Sequence, residues 1–238
     1  MGPAVLLLSH GSRDPRAAFV VDELVVAIRR RTGVEVRACH LDFTVPTPDV
    51  ALQDLATAGQ DDIRLVPLLF TPGHHLGTDV PTAVAASGVT GIADVGIAPG
   101  LVTDDPRDRA LLLRALTDRL AEAGADAFDG LVLAAAGSSH APARDVVSGL
   151  ARDLGELHGI PAVAAFASAT GPRVDEALEA LRADGCARPA VASLFVAPGR
   201  LPDAVTAGAG EVPVADPLGV TPAFVDLLLR HAGVPAQV

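Results

Sequence analysis

The stretch AVLLLSHGSRDPR, residues 4–16, decides how this chain begins to fold. Five apolar residues run without a break, and the polar loop SHGSR follows, with Pro15 shortly after it. A short apolar run is typical of a strand buried on both faces, and proline suits the first turn of a helix. The stretch therefore predicts a strand, a polar loop at its carboxyl end and then a helix.

The same pattern returns later in the chain. Gly11-Ser12 reappears as Gly137-Ser138, 126 positions further on (137 − 11). Other matches at this spacing join Gly33 to Gly159, Pro46 to Pro172, Asp49 to Asp175, Leu52 to Leu178, Leu55 to Leu181, Gly59 to Gly185 and Pro72-Gly73 to Pro198-Gly199. Repeated matches at one spacing indicate an internal duplication. We predict two domains: an N-terminal repeat, residues 1–124, and a degenerate C-terminal repeat, residues 125–238.

Apolar runs and helix-terminal residues predict one order of elements in both halves. Strands are predicted at 4–9, 35–42, 63–70, 92–97, 130–136, 161–167, 189–196 and 212–216. Helices are predicted at 15–31, 47–58, 79–87, 106–122, 141–156, 173–183, 201–207 and 222–231. This alternation predicts an α/β protein with two tandem four-stranded parallel sheets, Rossmann- or flavodoxin-like. Ligands of such folds bind at the carboxyl ends of the strands, so we expect the active-site cleft there, between the repeats.

Composition excludes several classes of function. A net charge of −11 argues against nucleic-acid binding, which needs a basic surface. Lysine is absent, which excludes a Schiff-base or P-loop lysine. No apolar run approaches the roughly 20 residues of a membrane span, and no signal peptide is evident. The two cysteines, Cys39 and Cys186, suit a reducing compartment, so we expect a cytoplasmic protein.

Polar residues follow three predicted strands of the first half. They are His10 after the first, His40 and Asp42 after the second, and His74, His75 and Asp79 after the third. If the first and third strands are neighbours, His10 converges with His74 or His75. Two imidazoles and a carboxylate can hold a divalent transition metal with open positions. A histidine at a strand end is also commonly a hydrogen-bonded loop residue, and spacing alone leaves both interpretations open.

The second copy serves as an internal control for these candidates. At the same spacing, His10 becomes Ala136, Asp42 becomes Ser168, His74 becomes Arg200 and His75 becomes Leu201. Glycines, prolines and apolar residues persist while the candidate ligands do not. This favours a functional interpretation of the first-half residues, although drift of one copy would leave the same pattern.

Other polar and aromatic residues have simpler interpretations. Asp79 is predicted to cap the following helix, and Phe43 and Phe70 are predicted to be core residues. His158 and His231 are interpreted as helix-end cations, and the DDPRDR run, residues 104–109, as a solvated helix start. Arg13 and Arg16 either bind an anionic ligand or form a solvated first helical turn.

The chain resembles the CbiX/SirB group of class II chelatases, the sirohydrochlorin cobalto- and ferrochelatases. The motifs that carry the resemblance are LLSHGSRDPRA (7–17), LDFTVPTPDVAL (41–52) and VPLLFTPGHHLGTDVP (66–81). Long members of this group are tandem repeats. The resemblance implies insertion of a divalent metal, Co²⁺ or Fe²⁺, into sirohydrochlorin without ATP, toward cobalamin or sirohaem. It implies no permanently bound cofactor.

The resemblance also implies a set of site residues. His10 and His75, rather than His74, match the family's two metal-handling histidines, and Asp42 stands where the family often has glutamate. We expect the two histidines to bind metal and accept the pyrrole protons, with Asp42 in support. Candidates for the eight carboxylates and the edge of the macrocycle are Ser12, Arg13, Arg16, Gly73, His74, Ser138, Arg144 and Arg200. The amides of Gly11–Ser12 and Gly137–Ser138 are expected to add donors.

Metal choice stays open, because Co²⁺, Fe²⁺ and Ni²⁺ all accept imidazole ligands. Imidazoles protonate below a pH of about 6.5 and then release metal, so activity is expected to fall there. A histidine phosphatase would need an arginine immediately before the first histidine, where this chain has Ser9. A non-catalytic carrier of metal or tetrapyrrole on the same scaffold remains the alternative, and a monomer is favoured because the repeats already supply a pair of domains.

Overall fold

The computed structural model describes residues 2–71, 73, 75–125, 127–168 and 171–236, with the backbone alone at position 75. Strand β1 (Ala4–Ser9) is buried along residues 4–8, as its apolar run predicts. Asp14 is the N-cap of helix α1 (Pro15–Thr32), and its carboxylate accepts the backbone N–H of Arg16. The predicted order of strand, polar loop and helix is confirmed.

The remaining elements follow in the predicted order, with ends shifted by up to three residues. In the first half they are β2 (Val36–His40), α2 (Pro48–Thr57), β3 (Asp62–Pro67), a π-helical segment (His75–Asp79), α3 (Val80–Ala86), β4 (Asp94–Ile97) and α4 (Pro106–Glu122). In the second half they are β5 (Gly130–Ala135), α5 (Ala141–His158), β6 (Ala162–Phe166), α6 (Val174–Ala183), β7 (Pro189–Ser193), α7 (Arg200–Ala209) and α8 (Pro222–Ala232).

Two parallel sheets carry these elements. The first sheet has the order β2-β1-β3-β4 and the second has the order β6-β5-β7. Strand β1 pairs with both β2 and β3, from Ala4↔Ile63 to Leu8↔Pro67 along the β3 side. The first and third strands are therefore neighbours, and the α/β class with two parallel sheets is confirmed.

One predicted strand, 212–216, is not formed. It touches β7 at the single bridge Val191↔Val214, where Val191 donates to the Pro213 carbonyl and receives the Ala215 N–H. The second sheet therefore has three strands rather than the four predicted. Pro213 and Pro217 explain this, because neither has an N–H with which to extend a ladder.

The third strand of each half shows where the repeats differ in length. Leu101 donates to the Leu69 carbonyl in the first half, and Leu218 donates to the Phe195 carbonyl in the second. The acceptors lie 126 positions apart (195 − 69), but the donors lie only 117 apart (218 − 101). The second half is thus nine residues shorter after its third strand. The difference lies beyond the start of α7, because Arg200 corresponds to position 74, next to the start of the π-helical segment at position 75.

The chain forms two compact units that exchange helices. One unit contains the residues up to Arg109 and those from Pro222 onward, and the other runs from Ala110 to Thr221. Helix α8 therefore belongs with the first sheet, while most of α4 belongs with the second. The boundary predicted at 124/125 marks where the repeated sequence pattern restarts. It stays a prediction, and it differs from the borders of the two compact units.

The acidic run at 104–109 is not simply a solvated helix start. Asp108 is buried and accepts hydrogen bonds from the Thr103 hydroxyl at 2.9 Å and from Arg230 Nε at 2.8 Å. His231 Nε2 lies 3.2 Å from the same carboxylate, with its side chain almost fully buried. His231 lies in the last turn of α8, as predicted, with its ring beside this buried carboxylate. The cluster joins α8 to the start of α4 within the first unit.

None of the helices in the described ranges combines the length and apolar composition that a membrane crossing requires.

Candidate functional site

The loop after β1 is shaped by a close approach to the end of β2. The His10 carbonyl accepts the Asp42 N–H at 2.8 Å, and the Ser9 carbonyl accepts the Leu41 N–H at 3.0 Å. Gly11 has φ 90°, and a Cβ there would collide with the Asp42 carbonyl. Only glycine allows this approach, which sets residues 10 and 42 side by side.

His10 and Asp42 form a half-open pair at the carboxyl edge of the first sheet. His10 Nε2 lies 3.9 Å from Asp42 Oδ2, and the two side chains are 42% and 55% exposed. An imidazole and a carboxylate at this separation can both turn toward a metal ion above the sheet edge. Within the described part of the chain, no three His, Cys, Asp or Glu side chains group into a metal site. The pair thus supplies two ligand groups.

The loop after β3 starts beside the loop after β1. Leu68 donates to the Leu8 carbonyl at 2.7 Å, which continues the strand pairing to the sheet edge. The π-helical segment then begins at His75, and the Gly73 carbonyl accepts the Gly77 N–H at 2.9 Å. The backbone at His75 thus follows the strand beside β1, while its side chain lies outside the described residues. The candidate His74 lies outside them altogether.

The expectation that Asp79 caps α3 is wrong. Asp79 is helical itself, with φ −69° and ψ −42°, and its side chain makes no capping hydrogen bond to the described residues. The π-helical segment runs into α3 without the extended residue that an N-cap requires. The DVP motif therefore continues a helix.

The two arginines after β1 have different partners. Arg16 forms a paired contact with Asp14, with its Nη2 2.6 Å from Asp14 Oδ2. Arg16 also holds the pKa of the Asp14 carboxyl below its usual range through this hydrogen bond. Arg13 instead lies over the Phe43 ring, 4.9 Å from its centroid. The pairing of Arg16 with Asp14 is what the interpretation as a solvated first helical turn expects.

The amides of Gly11 and Ser12 were expected to bind an anion, and both are engaged within the loop. Gly11 donates to Ser9 Oγ at 3.1 Å, and Ser12 donates to Thr44 Oγ1 at 3.4 Å. Ser12 Oγ accepts the Asp14 N–H at 3.0 Å. The expectation stays a prediction, and in this structure these donors hold the loop itself.

The candidates of the second half lie in the second unit. Arg144 donates to the Ser138 carbonyl at 2.7 Å, and Ser138 Oγ accepts the His140 N–H at 3.1 Å. Arg200 is exposed at the first residue of α7. Their expected place across a cleft from His10 stays a prediction.

Sequence reasoning missed the role of His40. The His40 imidazole is 5% exposed, and its Nδ1 lies 2.7 Å from Ser9 Oγ, which also accepts the Gly11 N–H. Burial lowers the pKa of His40, which favours the neutral ring that accepts the Ser9 proton. His40 therefore supports the loop that carries His10. Its burial could not be read from the strand pattern, because residues 40 and 42 would lie on one face of a continuous strand, whereas β2 ends at His40.

Phe43 is the second missed residue. It was predicted to lie in the core, but it is 61% exposed and has φ 61°. Its ring stacks with the His10 imidazole at a centroid distance of 6.3 Å. The sequence did not reveal this, because a large apolar side chain such as phenylalanine is usually buried. The Phe70 ring does contact a core residue, Phe224, at 6.5 Å.

Comparisons with known proteins agree with this geometry. The sequence profile of the CbiX family matches residues 4–123 and 130–233. A sirohydrochlorin cobaltochelatase of Saccharolobus islandicus is 34% identical over 84 residues, which are 35% of this chain and 65% of that protein. Between 55% and 65% of the first curated relatives' length is covered by the match.

Solved structures share the fold over almost the whole chain. SirB from Bacillus subtilis with Fe³⁺ has a TM-score of 0.78 at 21% identity, and the match covers 98% of this chain and 95% of that one. The sirohydrochlorin chelatase SirB from Bacillus subtilis subspecies spizizenii, in complex with cobalt, has a TM-score of 0.76 at 19% identity, covering 98% and 94%. At these identities the likeness establishes the fold.

Proposed function

The chain belongs to the CbiX family, and we propose that it inserts a divalent metal ion, Co²⁺ or Fe²⁺, into sirohydrochlorin without ATP. The observation that carries the proposal is the His10–Asp42 pair, with 3.9 Å between Nε2 and Oδ2, at the sheet edge where the loop to His75 also begins. The pair occurs in one repeat only, which suits one metal-handling site in each chain.

The metal is a substrate in this proposal, and no permanent cofactor is required. Imidazole and carboxylate ligands bind Co²⁺ and Fe²⁺ without the lasting capture that thiolates give. Both cysteines are buried, and burial raises the pKa of the Cys39 thiol well above its usual range. They are therefore poorly suited to compete as thiolate ligands. Support for these two metals comes from the curated cobaltochelatase relatives and from SirB with iron or cobalt.

The proposed reaction needs metal delivery and removal of two pyrrole protons. His10 and His75 would present the ion, and the same imidazoles would accept the protons as metal–nitrogen bonds form. Asp42, partly exposed beside His10, would support the two histidines by offering a carboxylate to the ion.

The carboxylates of the substrate need cationic partners, because the protein itself has a net charge of −11. Arg13 suits this role, since among the described residues its guanidinium has a ring rather than a carboxylate as partner. Arg16 would first have to leave Asp14. Arg144, Arg200, Ser12, Ser138, Gly73 and His74 stay candidates, and a monomer stays our prediction.

An anaerobic assay of sirohydrochlorin absorption tests the proposal. Wild type, His10→Ala and His75→Ala would each be mixed with Co²⁺, Fe²⁺ or Ni²⁺, and turnover would be followed against the uncatalysed rate. We expect multiple turnovers by wild type and a loss of about a hundredfold or more in both variants. Phe19→Ala, an exposed α1 residue, is the matched control.

Two outcomes would contradict the proposal. Wild type that binds sirohydrochlorin but gives only stoichiometric product at the background rate would be a carrier. Variants that metallate as fast as wild type would remove the histidines from the mechanism. The ranking of the three metals distinguishes a cobalt, iron or nickel enzyme.

A further inference from the structure

Phe43 occupies a position that folding alone does not explain. It is the central residue of a three-residue turn, in which the Thr44 N–H donates to the Asp42 carbonyl at 2.7 Å and Phe43 has φ 61°. Such a turn is strained for a residue with a large side chain. The ring is also 61% exposed, so burial gives little compensation. A strained, exposed aromatic residue calls for a role outside packing.

The turn is held in place by a clasp from the β1 loop. Thr44 Oγ1 donates to the Ser12 carbonyl at 3.0 Å and receives the Ser12 N–H at 3.4 Å. Through these two hydrogen bonds, the Thr44 hydroxyl ties the turn to the backbone of Ser12. The Phe43 ring is therefore presented from a fixed backbone.

The ring lies beside two side chains that the proposed function uses, His10 and Arg13. Its centroid is 6.3 Å from that of the His10 imidazole, with 26° between the planes. The Arg13 guanidinium lies 4.9 Å from it, within cation–π range. An imidazole, a flat apolar ring and a cation thus stand together at the sheet edge.

The second repeat has neither an aromatic residue nor an arginine at the positions equivalent to Phe43 and Arg13. At the 126-residue spacing Phe43 corresponds to Ala169 and Arg13 to Ser139. The repeat without the histidine has therefore also lost this pair, while its backbone hydrogen bonds at Phe166 and Ser168 match those at His40 and Asp42. These backbone hydrogen bonds therefore form in both repeats, with and without the ring.

We infer that Phe43 is a substrate-positioning residue whose exposed ring contacts the macrocycle of a planar, polyanionic tetrapyrrole beside His10, while Arg13 pairs with one of its peripheral carboxylates. A flat conjugated ligand gains from an aromatic contact that water cannot replace. The ring also keeps the imidazole beside the bound macrocycle. This inference rests on the proposed function.

Replacement of Phe43 by glycine separates binding from stability. Glycine adopts φ 61° without strain, so Phe43→Gly should melt at the same temperature as wild type or higher. Loss of the ring should raise the Kd for metal-free sirohydrochlorin, and the KM, by about three- to tenfold. Because His10 remains, kcat should change less than KM.

Three further variants complete the test. Phe43→Asn also tolerates positive φ and lacks the ring, so it should behave like Phe43→Gly. Phe43→Tyr restores an aromatic ring and should recover binding. Phe19→Ala removes an equally exposed ring from α1 and should leave Kd and KM unchanged.

The results separate this inference from the proposed function. Wild type that neither binds nor metallates sirohydrochlorin would overturn the proposed function. Wild type that does both, with Phe43→Gly and Phe43→Asn binding equally well, would overturn the role of Phe43 alone. Melting of both variants below wild type, together with weaker binding, would make Phe43 a packing residue and would also overturn it.

Discussion

The loops after β1 and β5 have nearly the same backbone but carry different chemistry. Asp42 donates to the His10 carbonyl at 2.8 Å, and Ser168 donates to the Ala136 carbonyl at 2.9 Å. Gly11 and Gly137 have φ values of 90° and 93°. Backbone hydrogen bonds and one glycine therefore specify this loop, and the side chains around it are free to carry a site or not.

The largest effect is expected when that shared glycine is changed. A Cβ at Gly11 would strike the Asp42 carbonyl, and a Cβ at Gly137 would strike the Ser168 carbonyl. Each alanine variant should lose about 3 kcal/mol of unfolding free energy, because both strain and clash oppose it. Urea denaturation would measure both. A cost at one glycine alone would break the equivalence of the two loops.

The next effect concerns the charged cluster of the first unit. Asp108→Asn leaves Arg230 and His231 without the carboxylate they share, and should cost about 2 kcal/mol of unfolding free energy. Desolvation by burial raises the pKa of Asp108. This is outweighed by the hydrogen bonds from Arg230 and Thr103 and by the charges of His231 and Arg230, so the pKa lies below its usual value.

The pH dependence of stability checks the same cluster. The pKa of Asp108 is lower in the folded protein than in the unfolded chain. Its contribution to stability is therefore fully present above about pH 4 and is lost as the pH falls through the pKa of the folded state. Acid unfolding of wild type should include this loss, and Asp108→Asn should unfold with a shallower slope below pH 4. Equal slopes would contradict the assignment.

A smaller effect is expected from exchanging one buried pair between the repeats. Ser9 and His40 in the first loop correspond to Ala135 and Phe166 in the second. Ser9→Ala alone leaves the buried His40 Nδ1 without its partner and should cost about 1–2 kcal/mol. Ser9→Ala with His40→Phe reproduces the second loop and should recover about 1 kcal/mol of that cost.

Thermal unfolding of the two single variants and the double variant would measure this coupling. Strict additivity would show that Ser9 and His40 do not act as a pair. Metal insertion by the double variant should stay below that of wild type, because the support beneath the His10 loop has changed.

The smallest effect concerns the ends of α1 and α5. Helix α1 ends with Arg29, Arg30 and Arg31, whereas α5 ends with His158, whose Nε2 lies 3.1 Å from the Thr117 hydroxyl. Burial lowers the pKa of His158. Its contribution to stability is therefore full above about pH 6.5 and falls as the pH drops further.

Replacing His158 by glutamine should remove this pH dependence of stability and should lower the free energy of unfolding by about 1 kcal/mol or less. Melting temperatures between pH 5 and pH 8 would check it. An unchanged slope would assign the dependence to another group.

The elements that depend on local pattern were predictable, and those that depend on contacts across the chain were not. The apolar run at 4–8 and the proline at position 15 fixed β1 and α1 through local physics. Strand 212–216 failed because proline limits pairing, and that signal was present in the sequence. The π-helical segment was missed, since an aspartate followed two residues later by a proline usually marks a helix start.

The site divides in the same way. His10 and Asp42 were predictable from strand order, because parallel strands bring their carboxyl ends to one edge. Burial of His40 and Asp108 was not, since it depends on a partner far away in sequence. Exposure of Phe43 was not predictable either, because it results from a turn that the clasp at Thr44 holds.

The exchange of helices bears on how this protein can be taken apart. A cut at 124/125 would leave the first sheet without α8, whose Phe224 is fully buried and contacts Phe70. A circular permutant avoids this problem. With the termini joined by a linker and the chain opened before Pro222, residues 222–238 and 1–109 become one continuous polypeptide, followed by 110–221. Each unit is then encoded in one continuous stretch, and the two stretches meet within α4.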